Sequence, residues 1–258
     1  MDRLLALPVP SASSLFSGPV FPYGARVPEN SPRDGSIEAD SVRSYFARIA
    51  SRYDLANRLL SGGIDVLWRL RAVDRVRAWA PQRILDVATG SGDLARLLQK
   101  ASPSAVVVGA DFCEPMLREA RRKGLRRLVV ADALQLPFAD GAFDAVTVAF
   151  GLRNMASWSR ALAEMRRVTA SGGHLLILDF GLPRPPLLAP YRWYLHRVLP
   201  WLAQAITGEK SAYEYLAASI EAFPHGEAMC SFLQEQGWAE AACEPLWGGI
   251  AAVYTAVR

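Results

Sequence analysis

Arg83-Ile84-Leu85-Asp86-Val87-Ala88-Thr89-Gly90-Ser91-Gly92-Asp93-Leu94 is the stretch from which the architecture can be read. It opens as a short apolar run of strand length and passes through small residues and two glycines. From Leu94 to Lys100 apolar residues then recur at helical spacing. A strand that turns through glycines straight into a helix is the start of a βαβ unit. Glycine allows a sharp turn and a close approach of backbone to ligand. The helix start adds free N–H groups and the positive end of the helix dipole.

The alternation continues downstream. Strands are predicted over 105–110, 127–130, 143–150 and 173–180, with helices over 114–123 and 158–168. Strands that are apolar throughout belong to a sheet covered on both faces, and their alternation with helices makes them parallel. A helix over 226–236 and strands over 240–245 and 250–257 close the chain. Upstream, Val42, Tyr45, Phe46 and Ile49 share one helical face, and a second helix spans 65–79 after the break at Gly62-Gly63. The fold class is therefore α/β: a Rossmann-like, doubly wound, mostly parallel seven-stranded sheet over residues 37–258. It carries N-terminal helices and a helical insertion at about 183–220, before the last strands. Residues 1–36 are rich in proline and serine, lack periodicity and read as a disordered extension.

Composition narrows the function classes. The chain has 258 residues, 51% of them hydrophobic, and a net charge of +4. Its basic residues are scattered apart from Arg121-Arg122-Lys123 and Arg126-Arg127, with no basic stripe among aromatics, so a nucleic-acid partner is not expected. Cys113, Cys230 and Cys243 lie far apart, which fits a reducing compartment. His174, His196 and His225 are equally dispersed, and no metal site is expected. No run of eighteen apolar residues occurs, so the chain is read as cytoplasmic, with peripheral contact to a membrane surface open to it. Homo-oligomerisation is also left open.

The glycine loop fits two cofactors. Gly90-Ser91-Gly92-Asp93-Leu94-Ala95 formally matches the Gly-x-Gly-x-x-Gly/Ala loop of nicotinamide enzymes, with Asp111 at a suitable distance. Three acids favour S-adenosylmethionine instead. Asp86 ends the first strand, close to where a cationic aminocarboxylate would lie. Asp93 opens the helix where a pyrophosphate would need to sit, and a carboxylate repels phosphate. Asp132-Ala133 ends the third strand, able to hold an adenine amino group and ring. Asp111, ending the second strand, suits ribose hydroxyls, and Phe112 and Met116 can pack on the adenine. Plainer roles are also available: a helix cap for Asp111, a turn for Asp132, ordinary core for Phe112 and Met116.

Further segments carry a resemblance. They are 46–57 (Phe-Ala-Arg-Ile-Ala-Ser-Arg-Tyr-Asp-Leu-Ala-Asn), Leu60-Ser61-Gly62-Gly63-Ile64 with Trp68-Arg69, and Asp132-Ala133-Leu134-Gln135-Leu136-Pro137-Phe138. Phe150-Gly151-Leu152-Arg153-Asn154, Tyr213-Glu214-Tyr215-Leu216 and Phe223-Pro224 complete the set. With the glycine loop, they resemble the class I methyltransferases and, within these, the C-methyltransferases of menaquinone and ubiquinone biosynthesis. Departures include Asp179-Phe180-Gly181 where relatives carry Glu-Phe-Ser, and Tyr254 where histidine is frequent; they bear on which quinone is used.

The resemblance implies methyl transfer from S-adenosylmethionine to a ring carbon of a polyprenylated quinol, demethylmenaquinol being preferred. It implies a cofactor shell of Ser91, Asp111, Asp132, Ala133 and Ala149, with Asp86, Gly90 and Gly92 shaping the loop. An oxidised quinone is electrophilic, so the acceptor should be the quinol, made nucleophilic by loss of a hydroxyl proton. Arg153 and Asn154 follow the fourth strand at the edge where such sheets bind ligands. They are read as stabilising and orienting the quinolate oxygen, against the simpler roles of salt bridge and helix cap. Candidates for the base are Tyr53, Asp54, Asp179, His196 or a group acting through water. The aromatic stretch 187–206 is either a slot for the prenyl tail at a membrane surface or a packing helix. Alternatives are the ubiquinone or phylloquinone precursor, another lipophilic acceptor, a nicotinamide oxidoreductase, and a non-catalytic cofactor-binding subunit.

Overall fold

The computed structural model describes residues 58, 61–201 and 210–258. The expectations for 1–36, for the helical face at 42–49, and for Tyr53 and Asp54 lie outside these residues. Seven strands, β1 (Arg83–Val87), β2 (Val106–Asp111), β3 (Leu128–Val130), β4 (Phe143–Ala149), β5 (Thr169–Phe180), β6 (Ala239–Leu246) and β7 (Ala251–Val257), form one sheet. The order is β3-β2-β1-β4-β5-β7-β6. Strands β1 to β5 pair in parallel, and β7 runs antiparallel to both β5 and β6.

The helices are α1 (Ile64–Ala78), α2 (Asp93–Ala101), α3 (Glu114–Arg122), α4 (Trp158–Val168), α5 (Leu188–Trp193), α6 (Lys210–Ala222) and α7 (Glu227–Glu235). The two faces of β1 show why it reads as continuously apolar. Ile84 packs with Trp68 and Ala72 of α1 and Leu94 and Leu98 of α2. Its neighbour Leu85 packs on the opposite face with Leu162 and Met165 of α4 and Leu233 of α7. A strand buried on both faces has no polar alternation to display.

After β1 the chain winds to β2 and β3; it then crosses to β4 and winds the other way. Ligands of such sheets bind beyond the carboxyl ends of the strands flanking that reversal, here β1 and β4.

One boundary differs from expectation. Strand β5 begins at Thr169, directly after α4, rather than at Gly173. Thr169 pairs with Phe143, and the register then slips before His174 pairs with Ala145. Gly172, with a φ of +71°, absorbs the extra residues, so a segment that reads as a turn is a bulge within the strand.

Between β5 and α7 the chain leaves the sheet. Helix α5 runs into a wide π-helical turn, Tyr194–Val198, and α6 returns. Leu195, Leu199, Ala217 and Ile220 form a separate small core there, against Phe180 and Leu182. Among the described residues no helix is long and apolar enough to cross a membrane.

Candidate active site

The loop after β1 is fixed by its own acids and by its neighbours. Asp86 is 1% exposed. It accepts hydrogen bonds from the Thr89 hydroxyl (2.6 Å) and the Thr147 hydroxyl (2.7 Å), which joins strand, loop and β4. Asp111 accepts from the Gly90 N–H (2.8 Å) and the Cys113 N–H (2.8 Å), drawing the loop onto the end of β2. Burial pushes both carboxyls up to about 6, against the lowering effect of these same bonds.

Space forces two of the glycines. A Cβ on Gly92 would lie 2.3 Å from Leu125 Cδ1 and 3.0 Å from the Ala120 Cβ, and its φ of +81° would strain any side chain at the start of α2. A Cβ on Gly151 would lie 2.6 Å from the Ala88 Cβ, so glycine is what lets the loops after β1 and β4 touch. Ala88 (φ +51°) and Phe150 (φ +57°) are non-glycine residues held in the left-handed region. Such backbone strain concentrates at ligand sites.

These loops enclose a cleft with about 1090 Å³ of empty space, its open mouth included. Asp86, Gly90, Ser91, Asp111, Asp132, Ala133 and Ala149 all border it. Gly92 does not; it sits behind the wall at the start of α2. Phe112, Met116 and Leu134 add apolar surface beside Asp132. This donor set fits an adenosyl sulfonium: carboxylates at the ends of β1 and β2 for its ammonium and hydroxyls, an apolar shelf for its ring, and glycines where a Cβ would crowd the loop.

Asp93 behaves differently from its expected part. It borders the cleft, but Lys123 Nζ lies 2.6 Å from its Oδ1 and also donates to Ser91 Oγ at 3.0 Å. Burial alone would raise the Asp93 carboxyl, yet the Lys123 ammonium holds it below the usual range. Its charge is thus matched, which removes the bare repulsion of a pyrophosphate expected from the sequence.

The second half of the site follows β4. Arg153 is 7% exposed and absent from the cleft wall. Its Nη1 donates to Asp179 Oδ1 (2.6 Å) and to the Phe150 carbonyl (2.8 Å), and its guanidinium lies over the Phe180 ring at 5.0 Å. The salt bridge named as the simpler role for Arg153 is therefore present. The helix cap named for Asn154 is not: Ser157 caps α4, accepting from the Arg160 N–H. Asn154 does border the cleft. Its Nδ2 donates to the Phe150 carbonyl (3.2 Å), and its Oδ1 accepts from the Tyr215 hydroxyl of α6 (3.0 Å).

Of the base candidates within the described residues, Asp179 is fully buried and held by Arg153, and burial raises its carboxyl. His196 pairs with Glu221 at 3.3 Å, is largely exposed and does not border the cleft. The structure also brings in Arg69 and Thr89, which the sequence did not single out as site residues. The i,i+4 spacing of Asp65 and Arg69 on a predicted helix was the available signal for the first.

The model of the "ubiE/COQ5 methyltransferase family" matches residues 35–258. A protein of Thermus thermophilus named demethylmenaquinone methyltransferase is 52% identical over 83% of this chain and 99% of its own length. A ubiquinone/menaquinone biosynthesis C-methyltransferase of Bordetella avium is 40% identical over 86% of this chain and 89% of its own. Among solved structures, a SAM-dependent methyltransferase from Thermotoga maritima superposes with a TM-score of 0.58 at 19% identity, covering 83% of this chain and 98% of that one, a likeness of fold.

Proposed function

Since the chain belongs to the ubiE/COQ5 methyltransferase family and is an S-adenosylmethionine-dependent C-methyltransferase of quinone biosynthesis, we propose that its acceptor is demethylmenaquinol. The 52% identity to the Thermus thermophilus protein of that name favours this quinol over a ubiquinone precursor. The observation that carries the reading is the position of Asn154. It borders the cleft and is hydrogen-bonded to Tyr215, on a helix of the insertion. The acceptor ring would lie there, with its tail among the aromatic residues of 187–206.

When bound, S-adenosylmethionine supplies an electrophilic methyl group on a sulfonium. Asp111 would hold the ribose hydroxyls, Asp132 and Ala133 the adenine, and Ser91, Ala149 and the Gly90–Gly92 turn the walls. Asp86 would face the ammonium. Ionising the quinol hydroxyl places electron density on the neighbouring ring carbon. The second hydrogen of Asn154 Nδ2 is free to donate to that oxygen. Arg153 is a positioning residue in this arrangement. By tying the Phe150 carbonyl to Asp179 it holds the turn that carries Asn154. Tyr53 and Asp54 stay as candidate proton acceptors.

The insertion also offers a surface for the lipid phase. Trp193 and Trp201 are 64% and 69% exposed, with exposed Arg197 midway between them at helical spacing. Leu187 and Trp247 are exposed as well, Leu187 lying against Gly248. Tryptophan and arginine together suit the headgroup region of an anionic bilayer, from which a polyprenyl acceptor would be drawn. Flotation with anionic vesicles at low salt should carry the protein; a protein left at the bottom would remove this part of the proposal.

The acceptor is tested by the quinone profile of a deletion strain. Accumulation of demethylmenaquinone, reversed by the gene, is expected. An unchanged profile would refute the proposal.

A further inference from the structure

We infer that Arg69 is the counter-cation for the carboxylate of the cofactor's methionine end. Among the described residues bordering the cleft it alone carries positive charge. It is 8% exposed and is part of the cleft wall.

Its setting is that of a held guanidinium with one edge unused. Nη1 donates to the Asp65 carboxylate and to the Asp65 carbonyl (3.2 Å), and Asp65 is itself fixed by the Ser61 hydroxyl (2.9 Å). The group lies over the Phe150 ring at 5.1 Å. Among the described residues only Asp65 hydrogen-bonds to it.

The two cleft acids close enough to feel its charge, Asp86 and Asp93, have other partners. Asp86 takes two threonine hydroxyls and Asp93 takes Lys123. A planar guanidinium with a free edge in a sheltered cleft recognises a carboxylate through paired N–H donors. With Asp86 nearby for the ammonium, Arg69 completes a pair of opposite charges matched to an amino-acid zwitterion. This inference rests on the cofactor assignment above.

The test compares two ligands on the full-length protein by calorimetry: S-adenosylhomocysteine, and its decarboxylated analogue, which keeps the amine. Wild type should prefer the first by about 10- to 100-fold, the range of one charge-assisted contact. Arg69→Gln should erase that preference by weakening S-adenosylhomocysteine alone, and Arg69→Lys should restore part of it. Equal weakening of both ligands by Arg69→Gln would make the role structural and overturn the inference, as would a wild type indifferent to the carboxylate. Should Arg69→Gln fail to fold, the wild-type preference and Arg69→Lys still decide. Wild type that binds neither ligand would overturn the cofactor assignment itself.

Discussion

The two halves of the cleft are built differently. On the β1–β2 side, each of the three buried or half-buried acids has its own hydrogen-bond partners: Asp86 has Thr89 and Thr147, Asp111 has two backbone N–H groups, and Asp93 has Lys123. On the β4–β5 side, a fully buried ion pair, Arg153 with Asp179, takes the place of such bonds, and some of its polar atoms are left over. Among the described residues, Arg153 Nε and Asp179 Oδ2 are buried without a hydrogen-bond partner. Unmet buried polar groups cost stability, and a protein keeps them where a role requires them. On the proposed cofactor side the acids are paired, whereas on the proposed acceptor side a buried ion pair keeps unmet polar atoms.

Four substitutions or conditions would break or sharpen that contrast. The largest effect is expected for Asp179→Ala, which strands Arg153 in the interior. Loss of one partner of a buried ion pair costs about 3–5 kcal/mol, and denaturant titration should show it as a lowered midpoint. S-adenosylhomocysteine affinity should survive at temperatures where the variant stays folded. If it falls in step with stability, the halves are not separate.

Next is Asp111→Asn, which keeps the shape and removes the charge. Affinity for S-adenosylhomocysteine should drop by roughly 10- to 100-fold, about 1.5–3 kcal/mol for hydrogen bonds to a charged group. The binding of quinol should be spared.

The third is pH. Asp86 and Asp111, pushed up to about 6, hold protons in the empty cleft that a cofactor would have to expel. Affinity should therefore climb as pH rises through 6, with proton release visible when calorimetry is repeated in buffers of different ionisation enthalpy. The empty fold should move the other way. Both groups bind protons more readily folded than unfolded, so their contribution to stability is fully present below the ordinary carboxylate range and is lost as pH rises through about 6.

The smallest effect is expected for Tyr215→Phe, which removes one hydrogen bond to Asn154, about 0.5–1.5 kcal/mol. The KM for quinol should rise several-fold, with cofactor affinity unmoved. A change in cofactor affinity alone would place Tyr215 on the wrong side.

The same contrast governs what could be read from the sequence. Strand β1, its glycine loop and the acids after β1, β2 and β3 are local features, each within a few residues of a strand end, and seven of the eight expected cofactor residues border the cleft. The acceptor side was legible only as a list of residue types. Nothing in the spacing of Arg153 and Asp179, twenty-six residues apart on different elements, says that they pair; strands β4 and β5 must first lie side by side. Arg69 escaped for a related reason. Its i,i+4 partner Asp65 can be read from the spacing, but only the fold shows that α1 packs it against the ring of Phe150. The start of β5 was misplaced because Ser171-Gly172-Gly173 has the chemistry of a turn, and only pairing with Phe143 shows that the strand runs through it.

The central claim is that the proposed cofactor side serves carbon methylation of a quinol held by the second half. The direct measurement uses purified protein, chemically reduced demethylmenaquinone in detergent and S-adenosylmethionine labelled in its methyl group. One label bonded to a ring carbon, formed only when the quinone is kept reduced, is the predicted product. A label on oxygen, or equal transfer to the oxidised quinone, would contradict it.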